Sequence, residues 1–235
     1  MKLALVGTVA VAGVHALPAL AALAPRLRPA LGIEDRVPAG AGPGAPAQVA
    51  LTFDDGPHPR GTPAVLELLA RRELRAVFFL VGEQVDRDPA LAAEIAAAGH
   101  QIGLHCQRHR NLLRLAPPQV HADLQRAADT IARATGEMPA LYRPPYGIAN
   151  LAALSWARRH GLRTFLWTRW GRDWEPQATP ASIVSLLTEG VRPRDVLLLH
   201  DADDYSAPGS WERTVAALPS VLDALTERGL GLATL

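Results

Sequence analysis

A chain of 235 residues can bury one sizeable core but is short for two comfortable domains. Its 49% hydrophobic and 20% charged residues are ordinary for a globular protein, and a net charge of +1 gives no reason to expect nucleic acid or a strongly acidic partner. The single cysteine, Cys106, excludes an intrachain disulfide and a cysteine-only metal site.

Residues 3–24 contain no Asp, Glu, Lys or Arg; Lys2 precedes them, and Arg26 and Arg28 follow. A bilayer takes about 20 apolar residues to cross, so this stretch reads as a membrane anchor or a signal peptide. Ala22-Leu23-Ala24 has the small-x-small form of a cleavage site, though Pro25 is a poor context for one. A buried N-terminal helix is the plainer alternative. Residues 37–47 are a Pro/Gly/Ala run without periodicity. The expected organisation is an anchor or signal peptide over 1–25, a linker over 26–47 and a domain over 48–235, secreted or membrane-anchored outside the cytoplasm.

From Gln48 onward, short apolar runs alternate with helical patterns. The expected strands are 48–53, 76–81, 101–104, 141–143, 163–167, 196–200 and 230–234. Helices are expected at 64–72, 89–98, 117–135, 148–160, 180–189 and 210–228, most closed by a glycine such as Gly99, Gly136 or Gly229. Continuous apolar strands alternating with helices mean a parallel sheet covered by helices. A barrel and an open doubly wound sheet both fit this pattern.

Polar residues cluster just past the strands. Asp54 and Asp55 follow the first, His105 and His109 the third, and Arg143 and Tyr146 the fourth. Asp173 and Trp174 lie beyond the fifth, and His200 ends the sixth. In parallel α/β folds the C-terminal strand ends form the active face. Two adjacent carboxylates at the tip of an apolar strand want a compensating partner, and a cation is one. His105 and His109, at i and i+4, fit one side of a helical turn, as a metal site requires. With Asp55 they make a His-His-carboxylate set that leaves a position open for water and substrate. Cys106 reads as a packing residue between them. Singly, each group has a plain explanation: a surface turn, a structural ion pair, a helix cap, a core histidine. Five sets on one face are harder to explain that way.

Five ordered stretches resemble the motifs of the polysaccharide deacetylases, carbohydrate esterase family four with its nodulation-type chitooligosaccharide deacetylase domain. They are Thr52-Phe53-Asp54-Asp55-Gly56, His105-x-x-x-His109, Arg143-Pro144-Pro145-Tyr146-Gly147, Asp173-Trp174 and Leu198-Leu199-His200. The resemblance covers about residues 48–235. It implies a distorted (β/α) barrel, usually of seven strands, with Asp55, His105 and His109 holding a divalent metal, usually zinc. It also implies Asp54 as general base oriented by Arg143, and His200 as general acid paired with Asp173. The Tyr146 backbone N–H would help hold the oxyanion, and Trp174 and Leu198 would wall the acetyl pocket. Two positions depart from the family pattern: Trp170 stands where an Asp is frequent, and Cys106 where Ser or Thr is usual.

The expected function is metal-dependent removal of N-acetyl groups from N-acetylglucosamine-containing glycans, peptidoglycan or chitin-like, with no nucleic acid involved and membrane attachment through residues 1–25. A deacylase or deformylase of a lipid-linked sugar is the nearest rival. A non-catalytic sugar-binding module is the more distant one, since base, acid and ligands are all present.

Overall fold

The computed structural model describes residues 15–39 and 46–235. Nine strands lie among them: β1 Ile33–Glu34, β2 Gln48–Asp54, β3 Val77–Leu80, β4 Gln101–Leu104, β5 Leu141–Tyr142, β6 Arg163–Phe165, β7 Arg169–Trp170, β8 Val196–His200 and β9 Gly231–Leu232. Their outer cover is α1 Gly61–Ala70, α2 Gly82–Arg87, α3 Pro89–Ala97, α4 Pro117–Thr135, α5 Leu151–Arg159, α6 Pro180–Thr188 and α7 Ser210–Glu227. The strands pair in the order β1-β6-β5-β4-β3-β2-β8-β7, all in parallel, and β9 adds to the start of β2. The sheet curls into an incomplete barrel, one domain of the (β/α)7 type.

The central strands are apolar along their length because both faces are covered. All of β2 except Gln48 is buried, as is all of β3. Phe53 stacks on Phe78 with ring centroids 5.1 Å apart. The longest helix, α4, buries Val120, Leu124, Ala127, Ala128 and Ile131, which recur at helical spacing. Side chains cap other helices: Asp88 accepts from the Leu91 N–H, Asn150 from that of Ala153, and Thr179 from that of Ser182.

The seven expected strands and six expected helices are all present, with ends shifted by at most a few residues. The expected strand over 163–167 stops at Phe165. The Leu166 N–H still bonds Glu34 on β1, but the Thr168 N–H bonds Val196 on β8. The chain thus crosses the open side of the sheet within three residues and continues as β7, at the other end of the strand order. The two-residue strands β1 and β7 and the short α2 are too brief for a periodic pattern.

Residues before Gln48 take part in this sheet. Arg28 is buried; its guanidinium donates to the Ala21 and Trp167 carbonyls and to Asp35. The Val37 N–H bonds the Arg194 carbonyl, and Arg36 pairs with Asp195. Part of the stretch expected to be a linker therefore packs on the domain. No helix among the described residues is long and apolar enough to cross a membrane. Residues 1–14 of the expected anchor and 40–45 of the expected linker lie outside the described residues.

Candidate active site

Parallel pairing brings the C-terminal strand ends to one edge. Asp54 is in register with Phe79 on β3 and His200 on β8, and Leu104 with Tyr142. The residues just beyond, Asp55, His105 and Arg143, therefore meet. His105 Nε2 lies 3.5 Å and His109 Nε2 3.4 Å from the same oxygen, Asp55 Oδ1. The two histidines come from a non-helical loop rather than the helical turn expected from their spacing, with Cys106 at φ 98°. The Cys106 side chain is buried in the core and its thiol donates to the Arg108 carbonyl, 2.9 Å away.

This trio fits a divalent cation. Ligand atoms about 2.1 Å from a common centre sit about 3.4 Å apart at tetrahedral corners. Asp55 Oδ1 is buried and has no hydrogen-bond partner among the described residues. His105 Nδ1 faces the Arg143 carbonyl at 2.8 Å, so it carries the proton and Nε2 presents its lone pair. Burial first, then the charge of Arg143, holds His105 down at about 3. Burial, then His105 and His200, holds His109 at about 3. Both rings are therefore neutral near pH 7, as metal ligands must be. Burial pushes Asp55 up to about 7, His200 opposes the shift, and neighbouring carboxylates add to it. A cation would relieve that cost.

Asp54 sits beside the trio, and Arg143 holds it from behind. Arg143 Nη1 donates to Asp54 Oδ1 at 2.6 Å and to Thr52 Oγ1 at 2.8 Å, and its guanidinium lies 3.9 Å over the Phe79 ring. Burial raises the Asp54 pKa, while Arg143 works against the rise. Across the cleft, His200 Nδ1 donates to Asp173 Oδ1 at 3.0 Å. Asp173 also accepts the His200 backbone N–H at 2.6 Å and the Thr214 hydroxyl at 2.8 Å, so the ring is fixed and Nε2 is left for the cleft. Burial opposes the charged ring; Asp173, then Asp55 and Asp54, overcome it and raise His200 to about 10. His200 is thus an imidazolium facing a carboxylate across a small space.

Asp54, Asp55, His105, His109 and His200 line one cleft of about 300 Å³, together with Tyr146, Trp174 and Leu198. Arg143 and Asp173 stand behind this lining as supports for Asp54 and His200. Trp174 meets the His200 ring edge-on at 5.4 Å. Non-glycine residues with positive φ gather at the cleft: Asp55 at 79°, Cys106 at 98°, Tyr146 at 59°, and Arg172 at 50° beside Asp173. Backbone held in such regions costs about 1–3 kcal/mol per residue and is retained where surrounding contacts impose it.

Several lining residues were not among the expected site residues. The loop 201–211 brings Tyr205 and Ser206 into the cleft. Tyr205 stacks on His109 with centroids 4.6 Å apart, its hydroxyl donating to Glu83 and accepting from Gln84 on α2. An aromatic residue just past a C-terminal strand end was the available clue. Trp167 and Trp170 complete the wall. Asp201 braces the opposite loop: the Thr62 hydroxyl donates to it, and a Cβ on Gly56 would lie 2.6 Å from its carboxylate. A second cluster, His58 with Asp203 and Asp204, is a loop staple rather than a ligand set. His58 Nδ1 accepts the Gly61 N–H at 3.0 Å, which leaves its proton on Nε2, 3.3 Å from Asp203.

Comparison with known proteins agrees with this geometry. Residues 41–165 match the family model described as polysaccharide deacetylase. A peptidoglycan-N-acetylglucosamine deacetylase of Bacillus cereus is 34% identical over 188 residues, covering 79% of this chain and 85% of that one. A chitooligosaccharide deacetylase of a Bradyrhizobium species is 35% identical over 188 residues, covering 77% and 85%. Among solved structures, the Bc1960 peptidoglycan N-acetylglucosamine deacetylase superposes with a TM-score of 0.77 at 29% identity, covering 87% of this chain and 91% of that chain. Strand order, the residues at the strand ends and the matched length all lead to one assignment: the chain is a member of the polysaccharide deacetylase family.

Proposed function

We propose that the protein is a metal-dependent hydrolase that removes N-acetyl groups from N-acetylglucosamine units of a glycan. The observation that carries this reading is a buried Asp55–His105–His109 trio set between two differently supported groups, Asp54 on Arg143 and His200 on Asp173. Asp55, His105 and His109 would hold the metal. A two-nitrogen, one-carboxylate set suits zinc. Bound there, a divalent cation polarises the acetamide carbonyl and makes water at the site more acidic.

The protein's own groups divide the proton transfers. Asp54, held as a carboxylate by Arg143, takes the proton of the attacking water. His200, held charged by Asp173, gives its Nε2 proton to the amine nitrogen as the carbon–nitrogen bond breaks. The Tyr146 backbone N–H would donate to the carbonyl oxygen as it gains charge. Trp174 and Leu198 receive the acetyl methyl on apolar surface. The uncharged stretch 3–24 supports a domain that works outside the cytoplasm, with residues 1–25 as signal peptide or anchor.

The test is acetate release from N-acetylglucosamine oligomers by the full chain, with added zinc, with chelator and with Asp54→Asn. Zinc-dependent release abolished by the substitution is expected. Absence of release from a folded, zinc-loaded protein would overturn the reading.

A further inference from the structure

The stretch 17–27 presents apolar side chains on both its sides. Short helical turns at Leu17–Ala19, Leu20–Leu23, Pro25–Leu27 and Pro29–Leu31 carry it along the domain. Pro18, Ala21 and Arg28 are buried. Ala21 packs with Ile33, Ala149, Leu154 and Leu166, and its carbonyl accepts from the Arg28 guanidinium at 3.1 Å. These turns therefore belong to the folded domain. Cleavage after Ala24 would take away both the buried alanine and the acceptor of Arg28.

Polar residues are expected on the outward side of such a segment. Leu17, Leu20, Leu23 and Leu27 stand there instead, all exposed, Leu23 by 86%. Two further exposed apolar residues, Trp170 and Leu186, line the hollow of about 500 Å³ that Leu23 borders. Single exposed leucines are ordinary, but an exposed apolar cluster marks an interaction surface. The charge around it has one sign. Lys2, Arg26 and Arg28 are the only charged residues before Glu34, and Arg26 is exposed. Residues 3–14, directly ahead of this face in the chain, carry no charge at all.

We infer that this face lies on a lipid bilayer. The four leucines enter the acyl boundary, Trp170 sits at the headgroup level, and Arg26 meets the lipid phosphates. The inference rests on residues 1–25 serving as an anchor, one of the two roles given to them above, and not on the deacetylase chemistry. A bilayer accounts for the leucines and for the charge-free run together, since both need an apolar phase, and no acidic residue of the stretch opposes lipid phosphate. Trp170 also lines the catalytic cleft, so the cleft mouth opens beside the bilayer. The glycan within its reach is then the material nearest the membrane.

The test adds the full chain to preformed vesicles of phosphatidylethanolamine and phosphatidylglycerol and reads a fluorophore on one introduced cysteine. Cys106 is buried, so the introduced thiol takes the label. Leu186→Cys is on the proposed face and far in sequence from the anchor. Met138→Cys, also exposed, precedes β5 at the other end of the strands from the cleft. Nitroxide on the lipid acyl chains should quench the probe at residue 186 about fivefold more than at residue 138, and aqueous iodide should show the reverse order. Changing Leu20, Leu23 and Leu27 together to Ser should cut the lipid quenching at residue 186 to about a third or less, with melting curves to verify the fold. Equal access of iodide to both probes in vesicle-bound protein would overturn the docking and leave the anchor standing. Shielding of residue 186 from both quenchers would give the face to residues 1–14 or to a second copy of the chain, which also overturns it. Failure of the chain to float with the vesicles would overturn anchor and docking together. Acetate release enters none of these readouts, so the deacetylase reading stands or falls separately.

Discussion

The Arg143 guanidinium and the Asp54 carboxylate form a buried ion pair, 2.6 Å apart with side chains 0% and 3% exposed. Each charge is tolerable only because the other is present. Removing one partner of such a pair costs about 3–5 kcal/mol, because the other charge is left buried and uncompensated. Arg143→Met should therefore lower the melting temperature and abolish acetate release. Adding Asp54→Asn to it should recover part of the stability and none of the activity. A double-mutant cycle by denaturant unfolding checks this, and additive losses would show that the two charges are not coupled.

Asp173 acts on the substrate only through His200. It accepts from the ring, from the His200 backbone and from Thr214, and its charge is what keeps the imidazole protonated near neutral pH. Asp173→Asn keeps the shape and loses the charge. The expected result is a fall in kcat of about 10²- to 10⁴-fold, the range for a lost general acid. Zinc affinity, measured by calorimetric titration, should change little, because Asp173 touches none of the proposed ligands. A large loss of zinc binding would mean that the variant disturbs the whole site.

Most of the site was legible in the sequence for a geometric reason. In a parallel sheet, residues just past successive strands land on one edge, so Asp54, Asp55, His105, Arg143 and His200 could be grouped once the apolar runs before them were read as strands. What stayed hidden depends on long-range contacts. Strand alternation alone left a curled and an open sheet both possible, and the family resemblance implied the barrel; the curl itself turns on the crossing at residues 166–168, where the backbone switches partners from Glu34 to Val196. The docking of Arg28 in an apparent linker needs the Trp167 carbonyl, distant in sequence. Tyr205 has its partners, His109 and Glu83, in other segments, so no local pattern places it in the cleft.

His105 and His109 are oriented by different means, and this has a measurable consequence. The Arg143 carbonyl fixes the ring of His105. His109 Nδ1 has no hydrogen-bond partner among the described residues, and its ring is held by Tyr205 on its face and Tyr146 at its edge. Groups that orient ligands are typically worth 10- to 100-fold in metal affinity. Tyr205→Ala should weaken zinc binding about tenfold by calorimetry, whereas Tyr205→Phe, which keeps the stacking and loses only the bonds to Glu83 and Gln84, should lose much less. Equal effects of the two variants would shift the role from the ring to the hydroxyl.

His100 gives a pH dependence of stability away from the cleft. Its Nδ1 accepts the Ala76 N–H at 3.2 Å and its ring packs 5.2 Å from Phe78, an arrangement that suits neutral imidazole. Burial, then the charge of Arg75, lowers its pKa from 6.5 to about 4. A group depressed in the folded state binds fewer protons than in the unfolded chain between those two values, so its contribution to stability is complete above pH 6.5 and lost as pH falls toward 4. At about 1.4 kcal/mol per unit the loss approaches roughly 3 kcal/mol. Asp55 and Asp201, raised to about 7, shift stability in the opposite direction over the same range, so the wild-type curve alone would mask the effect. His100→Asn places an oxygen near the Nδ1 position and removes the titration. The difference in unfolding free energy between wild type and His100→Asn should favour the wild type less and less as pH falls from 7 to 4. A difference independent of pH would show that His100 titrates alike in the folded and unfolded chains.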